Sequence, residues 1–379
     1  MTARPFAANH LVVVAAGTGG HVTPGLAVAA RLQARGWSVS WLGTRSGMER
    51  ALVERAGIDF DPLDFGSLRG RGWAMLASSP FRLLRAVWQA RGVLRRRAPT
   101  AVFATGGYVA VPAGWAARLA RVPLALLNAD AAPLLSMRLL DGAPRVVLCG
   151  FDGAAARRAG SRALVSGNPV REAIAAVAPP GERFAGRAGP LRLLVLGGSL
   201  GATALNRVVP EALKRLAARD PAAARPQVVH QCGAAHLDEA RRAYAAAGLE
   251  AEVVSFIDDV AARYAWADVA ICRAGAITTS ELAAAGVASI LVPFVASTTD
   301  HQRSNAEFLA ARGAAVHLPQ PEADAQRLAA LLGGLDRPRL LQMAQAAREL
   351  GRTDATAIAA AAIEKMAARP SGAAATGPA

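Results

Sequence analysis

LVVVAAGTGGHVTPGLAVAARLQARG, residues 11–36, runs an apolar segment into Gly17-Thr18-Gly19-Gly20 and places a histidine, His21, where a helix should begin. Glycines in such a turn let backbone N–H groups approach a ligand that a Cβ would hold away. The helix that follows presents unpaired N–H groups and the positive end of its dipole, which together favour phosphate. That dipole disfavours an imidazolium, so His21 is expected to be neutral near pH 7 and able to accept a proton. A second loop, LRLLVLGGSLGATALNRVV at 191–209, repeats the plan with Ser199 at its tip. Neither loop reads G-x-G-x-x-G with an acid about 20 positions on, and neither carries a Walker lysine, so neither meets the dinucleotide or P-loop fingerprint.

Both loops need strands and helices to hold them. In the first half, LVVVAAG (11–17), SVSWLGT (38–44), AVFATGG (101–107), LALLNAD (124–130) and VVLCG (146–150) are short apolar runs ending in glycine or polar residues. Segments of helical period such as AVAARLQARG and GWAARLARV lie between them, the alternation of a parallel sheet covered on both faces. LRLLVLGG (191–198), QVVHQCG (227–233), AEVVSFI (251–257), VAICRAG (269–275) and SILVPFV (289–295) repeat the pattern. The expected fold is α/β: two Rossmann-like, doubly wound parallel-sheet domains facing a cleft, with ligands at the carboxyl edges of the strands. The division expected is residues 1–170 and 171–350, with 167–190 as linker. A last helix over 351–369 packs back on the first domain, and 370–379 form a frayed tail.

At 379 residues the chain can hold two cores, and with 53% apolar residues it has the material for them. No membrane-spanning run and no signal-peptide pattern is apparent. Cys149, Cys232 and Cys272 are far apart and read as buried thiols of a reducing compartment. The net charge of +15 is unevenly shared: up to Arg171 there are 22 Arg against 8 Asp or Glu, and from Glu172 on 21 Lys or Arg against 20. The excess points to an anionic surface met by the first domain alone.

Six motifs in order carry a family resemblance: GTGGHVTPGLAVA (17–29), TGGYVAVPAG (105–114), GNPVR (167–171), GGSLGA (197–202), FIDDVAARYAWADVAICRAGAITTSELAAAG (256–286) and DHQRSNA (300–306). Together they resemble the MurG family, bacterial UDP-GlcNAc:lipid I N-acetylglucosaminyltransferases of GT-B fold in glycosyltransferase family 28. The resemblance implies transfer of GlcNAc from UDP-GlcNAc to the C4 hydroxyl of MurNAc in lipid I, with inversion, giving lipid II of peptidoglycan. It implies His21 as candidate general base and a donor site of Thr18, Gly19, Gly20, Arg171, Ser199, Ile257, Ala276, Ile277, Thr278, Thr279, Ser280, Glu281 and Gln302. Within that set it implies Ser199 and Arg171 at the diphosphate, Ile257 at uracil, Glu281 at the ribose diol and Gln302 at the GlcNAc hydroxyls. Gly106, Gly107 and Tyr108 would line the acceptor side. One motif departs: where the family reads HEQN, this chain has Leu127, Asn128, Ala129 and Asp130. The donor contact of the family's asparagine then falls on Asp130, or on Asn128 after a loop shift.

Residues 66–99, GSLRGRGWAMLASSPFRLLRAVWQARGVLRRRAP, hold eight arginines and no acid. Trp73, Met75, Leu76, Phe81, Leu83, Leu84, Val87 and Trp88 interleave with them, a composition that suits an interfacial segment on anionic phospholipid. With no nucleic-acid motif alongside, nucleic acid is not an expected partner. Lipid is, at the cytoplasmic face of the bacterial inner membrane, with cell-wall and division proteins as partners by analogy. No cofactor is expected. Asp59-Phe60-Asp61 spells the DxD of metal-dependent transferases of another fold, but lies in an early connection, away from the nucleotide loops, and reads as solvated strand-edge carboxylates. The rival readings are another GT-B UDP-sugar enzyme, such as a glycolipid glycosyltransferase or a UDP-GlcNAc epimerase, and a non-catalytic scaffold binding nucleotide sugar.

Overall fold

The computed structural model describes residues 9–17, 19–45, 47–66, 79–198, 202–219, 225–294 and 300–368. They form two compact units: Met1–Arg171 with Asp354–Ala379, and Glu172–Thr353. In the first, seven strands run β1 (His10–Ala15), β2 (Ser38–Thr44), β3 (Asp59–Leu63), β4 (Ala101–Gly106), β5 (Leu124–Asn128), β6 (Val146–Cys149) and β7 (Ala163–Val165). They alternate with α1 (Gly19–Gln33), α2 (Glu49–Arg55), α3 (Ser79–Arg97), α4 (Ala110–Leu119), α5 (Leu135–Leu139) and α6 (Ala154–Ala159). The second unit holds β8 (Arg192–Leu196), β9 (Gln227–Gln231), β10 (Glu252–Val254), β11 (Val269–Cys272), β12 (Ala288–Leu291) and β13 (Ala315–His317). Its helices are α7 (Glu172–Ala175), α8 (Pro180–Phe184), α9 (Thr203–Arg219), α10 (Leu237–Ala246), α11 (Val260–Trp266), α12 (Ala276–Ala285), α13 (His301–Ala310), α14 (Ala325–Gly333) and α15 (Arg337–Leu350). The chain then returns to the first unit as α16 (Ala355–Ala367).

Strand order is β3-β2-β1-β4-β5-β6-β7 in one sheet and β10-β9-β8-β11-β12-β13 in the other. Every pairing is parallel. β1 is buried along its whole length, which is why HLVVVA is an unbroken apolar run after its histidine: a central parallel strand is covered on both faces. In each sheet the order reverses beside the first strand, between β1 and β4 and between β8 and β11. These reversals are the topological switch points at whose carboxyl edges ligands collect in such sheets.

Three features differ from the sequence reading. Asp59-Phe60-Asp61 begins edge strand β3, where Asp59 is solvated as expected but Asp61 is buried, and both are paired: Arg97 Nε donates to Asp61 at 2.8 Å and Nη1 to Asp59 at 2.8 Å. The 167–190 segment is no loose linker beyond Arg171, because α8 drives Arg183 into the second unit, where it donates to the Ala178 carbonyl at 3.0 Å and to those of Tyr264 and Ala285 at 3.2 Å. Finally, α3 divides the apolar residues expected at one interface. Ala86, Val87, Ala90, Val93 and Leu94 enter the core and Leu83 packs against it, whereas Phe81, Leu84 and Trp88 are exposed. Trp73, Met75 and Leu76 lie outside the described residues.

α16 packs on α1, with Glu364 paired to Arg35 at 2.6 Å and Thr356 Oγ1 donating to the Val170 carbonyl at 3.0 Å. Cys149, Cys232 and Cys272 are buried free thiols.

Candidate active site

At the β1/β4 switch the first unit gathers His21, Thr105 and the two glycines that follow it. His21 Nδ1 lies 3.2 Å from the Thr105 carbonyl. A carbonyl only accepts, so Nδ1 carries the proton and Nε2 keeps the lone pair, the tautomer a general base needs. In return Thr105 Oγ1 donates to the His21 carbonyl at 2.6 Å, tying the first turn of α1 to the end of β4. Burial holds the His21 imidazole below its ordinary pKa, while the Asp130 carboxylate and the Thr105 bond pull it back up. Enclosure is thus the cause of neutrality that the structure supplies, where the sequence pointed to the helix dipole.

Gly106 and Gly107, expected on the acceptor side, have a packing reason in the fold. A Cβ on Gly106, at φ 126°, would stand 2.5 Å from His21 Nδ1, and one on Gly107, at φ 75°, would stand 2.3 Å from the Ala16 carbonyl oxygen. Tyr108 packs against the core with its ring 6.3 Å from that of Phe65. The turn before α1 is pinned from below by two residues the sequence reading missed. Trp41 Nε1 donates to the Ala15 carbonyl at 3.1 Å. The wholly buried Glu49 accepts from Thr44 N at 2.8 Å, Thr44 Oγ1 at 2.6 Å and Gly17 N at 3.4 Å. Gly19 and Gly20 open α1. Thr18 lies outside the described residues.

After β5, Asn128 is committed to its own loop: Nδ2 donates to the carbonyls of Asp130 at 2.7 Å and Ala132 at 3.1 Å, and Oδ1 accepts from Leu134 N at 2.8 Å. Of the two candidates for the departed asparagine, Asn128 spends its amide on building the loop, and Asp130 is half-buried. Arg171 is exposed at the end of the first unit.

The second unit repeats the arrangement at the β8/β11 switch. Gln231 holds the start of the glycine loop, its carbonyl accepting from Gly197 N at 2.9 Å and its Nε2 donating to the Gly198 carbonyl at 3.2 Å. Ser199 lies outside the described residues. Beyond β11, Gly275 precedes α12, whose first turn of Ala276, Ile277 and Thr278 has N–H groups without intrahelical acceptors. The other end of α12 is closed by Gly286 at φ 64° and by two guanidinium groups, Arg183 on the Ala285 and Gly286 carbonyls and Arg348 on that of Ala284. Cations at the last carbonyls complement the dipole there.

Of the hydroxyls expected to converge at this helix start, that of Thr279 instead turns back to the Gly275 and Ala276 carbonyls at 3.1 and 3.0 Å. Ser280 follows it, half-buried. Glu281 falls in the second turn, 7% exposed, and its Oε2 accepts from Tyr264 Oη at 3.2 Å. Ile257 is buried beyond β10. On α13, Gln302 Oε1 accepts from Phe294 N at 2.8 Å, which directs its amide nitrogen elsewhere. Asn305 Nδ2 ties the same helix to the Ala274 carbonyl at 3.1 Å. Among the described residues no three of His, Cys, Asp and Glu gather as metal ligands.

Two doubly wound parallel sheets of this order, each with a glycine loop at its switch point, have the GT-B glycosyltransferase architecture. The glycosyltransferase family 28 N-terminal domain matches residues 11–148 and the family 28 C-terminal domain residues 192–362. A protein of Herminiimonas arsenicoxydans named UDP-N-acetylglucosamine–N-acetylmuramyl-(pentapeptide) pyrophosphoryl-undecaprenol N-acetylglucosamine transferase is 52% identical over 94% of this chain and 98% of its own. The crystal structure of Acinetobacter baumannii MurG superposes with a TM-score of 0.79 at 36% identity, over 94% of this chain and 99% of that one. A UDP-GlcNAc 2-epimerase from Neisseria meningitidis, solved bound to UDP-GlcNAc, shares the fold alone, with a TM-score of 0.63 at 12% identity over 94% of this chain and all of its own. The chain belongs to glycosyltransferase family 28, in the MurG family of N-acetylglucosamine transferases.

Proposed function

We propose that the chain moves GlcNAc from UDP-GlcNAc to the C4 hydroxyl of MurNAc in lipid I, forming lipid II with inversion at the anomeric carbon. The observation that carries this reading is the 52% identity, over 94% of the chain, to a transferase whose name describes that reaction. In the proposed reaction Nε2 of His21 takes the proton of the C4 hydroxyl as its oxygen bonds to C1 of GlcNAc. The bond from C1 to the β-phosphate oxygen breaks, and its electron pair leaves with UDP. The first-turn N–H groups of α12, the hydroxyl of Ser199 and the Arg171 guanidinium receive that growing charge, a task for fixed donors and dipoles. Glu281 accepts hydrogen bonds from the ribose diol, Ile257 meets the base through its backbone, and Gln302, its oxygen held by Phe294, offers Nε2 to the sugar hydroxyls. Asp130 keeps a place beside the donor; Gly106 and Gly107 face the acceptor pyrophosphate. Radiolabelled UDP-GlcNAc with a lipid I analogue gives a β(1→4)-linked disaccharide if this is right. Free GlcNAc alone, or an epimerised nucleotide sugar, contradicts it.

The enzyme meets its lipid-linked acceptor as a peripheral protein on the inner leaflet. Support comes from Phe81, Leu84 and Trp88, exposed along one side of the arginine-rich α3, and from Trp115 and Leu119 on the neighbouring α4. Among the described residues no helix is long and apolar enough to cross a membrane. Sedimentation with anionic vesicles that weakens as salt rises is the expected result. No sedimentation at low salt contradicts it.

A further inference from the structure

Arg273 follows β11 at the switch-point edge of the second sheet, just before Gly275 leads into α12. Its half-buried side chain reaches across that edge to the residues that follow β12. Nη1 donates to the Val292 carbonyl at 3.1 Å, and the guanidinium lies over the Phe294 ring, 5.5 Å from its centre. The backbone is tied the same way, since Val292 N donates to the Cys272 carbonyl at 2.8 Å. Cys272 and Arg273 thus grip Val292 at both its N–H and its carbonyl. Phe294 is held differently: its ring is 51% exposed, so the core does not fix it, and the guanidinium supplies a face-on contact.

The backbone of Phe294 in turn sets a residue of the donor site. Its N–H donates to Gln302 Oε1 at 2.8 Å, at the start of α13. An N–H is met only by the oxygen of an amide, so this bond decides which way the Gln302 amide faces. One turn further along α13, Asn305 Nδ2 donates to the Ala274 carbonyl at 3.1 Å, next to Arg273 in the chain. The contacts close into a ring, from Arg273 through Phe294 to Gln302, then along α13 to Asn305 and back to Ala274.

No acid accounts for the burial of Arg273. Among the described residues it takes part in no ion pair, and burial holds its pKa below the ordinary arginine value. Desolvating a guanidinium is unfavourable unless its donors and charge are compensated. Here the compensation is one carbonyl and one aromatic face, and both belong to the segment that holds Gln302.

We propose that Arg273 is a positioning residue for donor-sugar recognition: by clamping Val292 and Phe294 it fixes the N–H that holds Gln302 Oε1, so that Gln302 presents Nε2 to a hydroxyl of GlcNAc. Arg273 acts through Gln302 and takes no part in the bonds made and broken. The proposal rests on the reading that Gln302 meets the donor sugar, and its test separates the two.

Isothermal titration calorimetry of the full-length chain with UDP and with UDP-GlcNAc isolates the sugar, because UDP lacks the group that Gln302 meets. Gln302→Ala examines the underlying reading: it should weaken UDP-GlcNAc about 3- to 30-fold and leave UDP within about twofold of the parent. Arg273→Met keeps the apolar stem, removes the donors and the charge, and should weaken UDP-GlcNAc in the same range with UDP again unmoved. Combining the two substitutions should cost little more than Gln302→Ala alone, since both break one path. Arg273→Lys, which can still donate to the Val292 carbonyl, should lose less than Arg273→Met. Parent-like UDP-GlcNAc binding in Gln302→Ala overturns the Gln302 reading and the proposal with it. A loss in Gln302→Ala without one in Arg273→Met overturns the proposal alone, as do losses in Arg273→Met that are equal for UDP and UDP-GlcNAc, or losses that add in the double variant. If Arg273→Met does not fold, Phe294→Leu decides: it keeps the N–H and removes the ring, a sugar-dependent loss is expected, and parent-like UDP-GlcNAc binding overturns the proposal.

Discussion

An alanine at position 106 would push its Cβ to within 2.5 Å of His21 Nδ1 on a backbone at φ 126°, a region an L side chain rarely occupies. The His21 ring would have to leave the Thr105 carbonyl, and the strand end would be strained by about 1–3 kcal/mol. Gly106→Ala is therefore expected to lower the melting temperature and turnover together, whereas His21→Gln should lower turnover about 10²- to 10⁴-fold with melting unchanged. Melting curves beside steady-state rates separate the two. If Gly106→Ala melts and turns over like the parent, the packing account of this corner is wrong. This residue scale was only partly legible in the sequence. The glycine loop and His21 stand out because their types are unusual after an apolar strand. Thr105 and Glu49 do not, because they reach across 84 and 32 residues to His21 and Gly17, and only the parallel pairing of β1 with β4 and β2 brings those segments together.

Helix α12 is held by opposite means at its two ends: open N–H groups at the start, arginines at the finish. Replacing Arg183 with Met leaves the buried carbonyls of Tyr264, Ala285 and Gly286 without that donor, at a cost of about 2–4 kcal/mol. Hydrogen exchange should show α12 opening sooner in Arg183→Met; protection equal to the parent's contradicts the clamp. The central strands were plain in the sequence as unbroken apolar runs bounded by glycine. Of the four edge strands only β10 was, within AEVVSFI. β3 carries two acids and a proline, which an edge tolerates, and β7 and β13 are three residues each, too short to show a period. Arg183 also looked like linker, since nothing local announces that an arginine in a proline-rich stretch will be buried under carbonyls from a helix about 100 residues on.

Across the molecule, each unit buries a histidine that must stay neutral. His230 is enclosed between Tyr244 Oη at 2.9 Å and Asn206 Oδ1 at 3.0 Å, and burial lowers its pKa from 6.5 to about 4. His10, between Ser38 and Ser40, is likewise lowered to about 4, by burial first and by Arg97 second. Between the folded and unfolded values the unfolded chain binds more protons, so stability rises with pH across that window and is lost as pH falls from about 6.5 toward 4. For His230 alone the loss amounts to about 3 kcal/mol. Thermal unfolding from pH 7 to 4.5 should show the decline, and His230→Gln should flatten part of it. A melting temperature independent of pH over this range contradicts it.

The division of labour between the two sheets is tested most directly by a crystal structure of the chain with UDP-GlcNAc bound. On the proposed reading the diphosphate lies at the β8/β11 edge, against the first turn of α12, with the ribose at Glu281. A nucleotide seated instead at the β1/β4 edge, or a ribose away from Glu281, would contradict it.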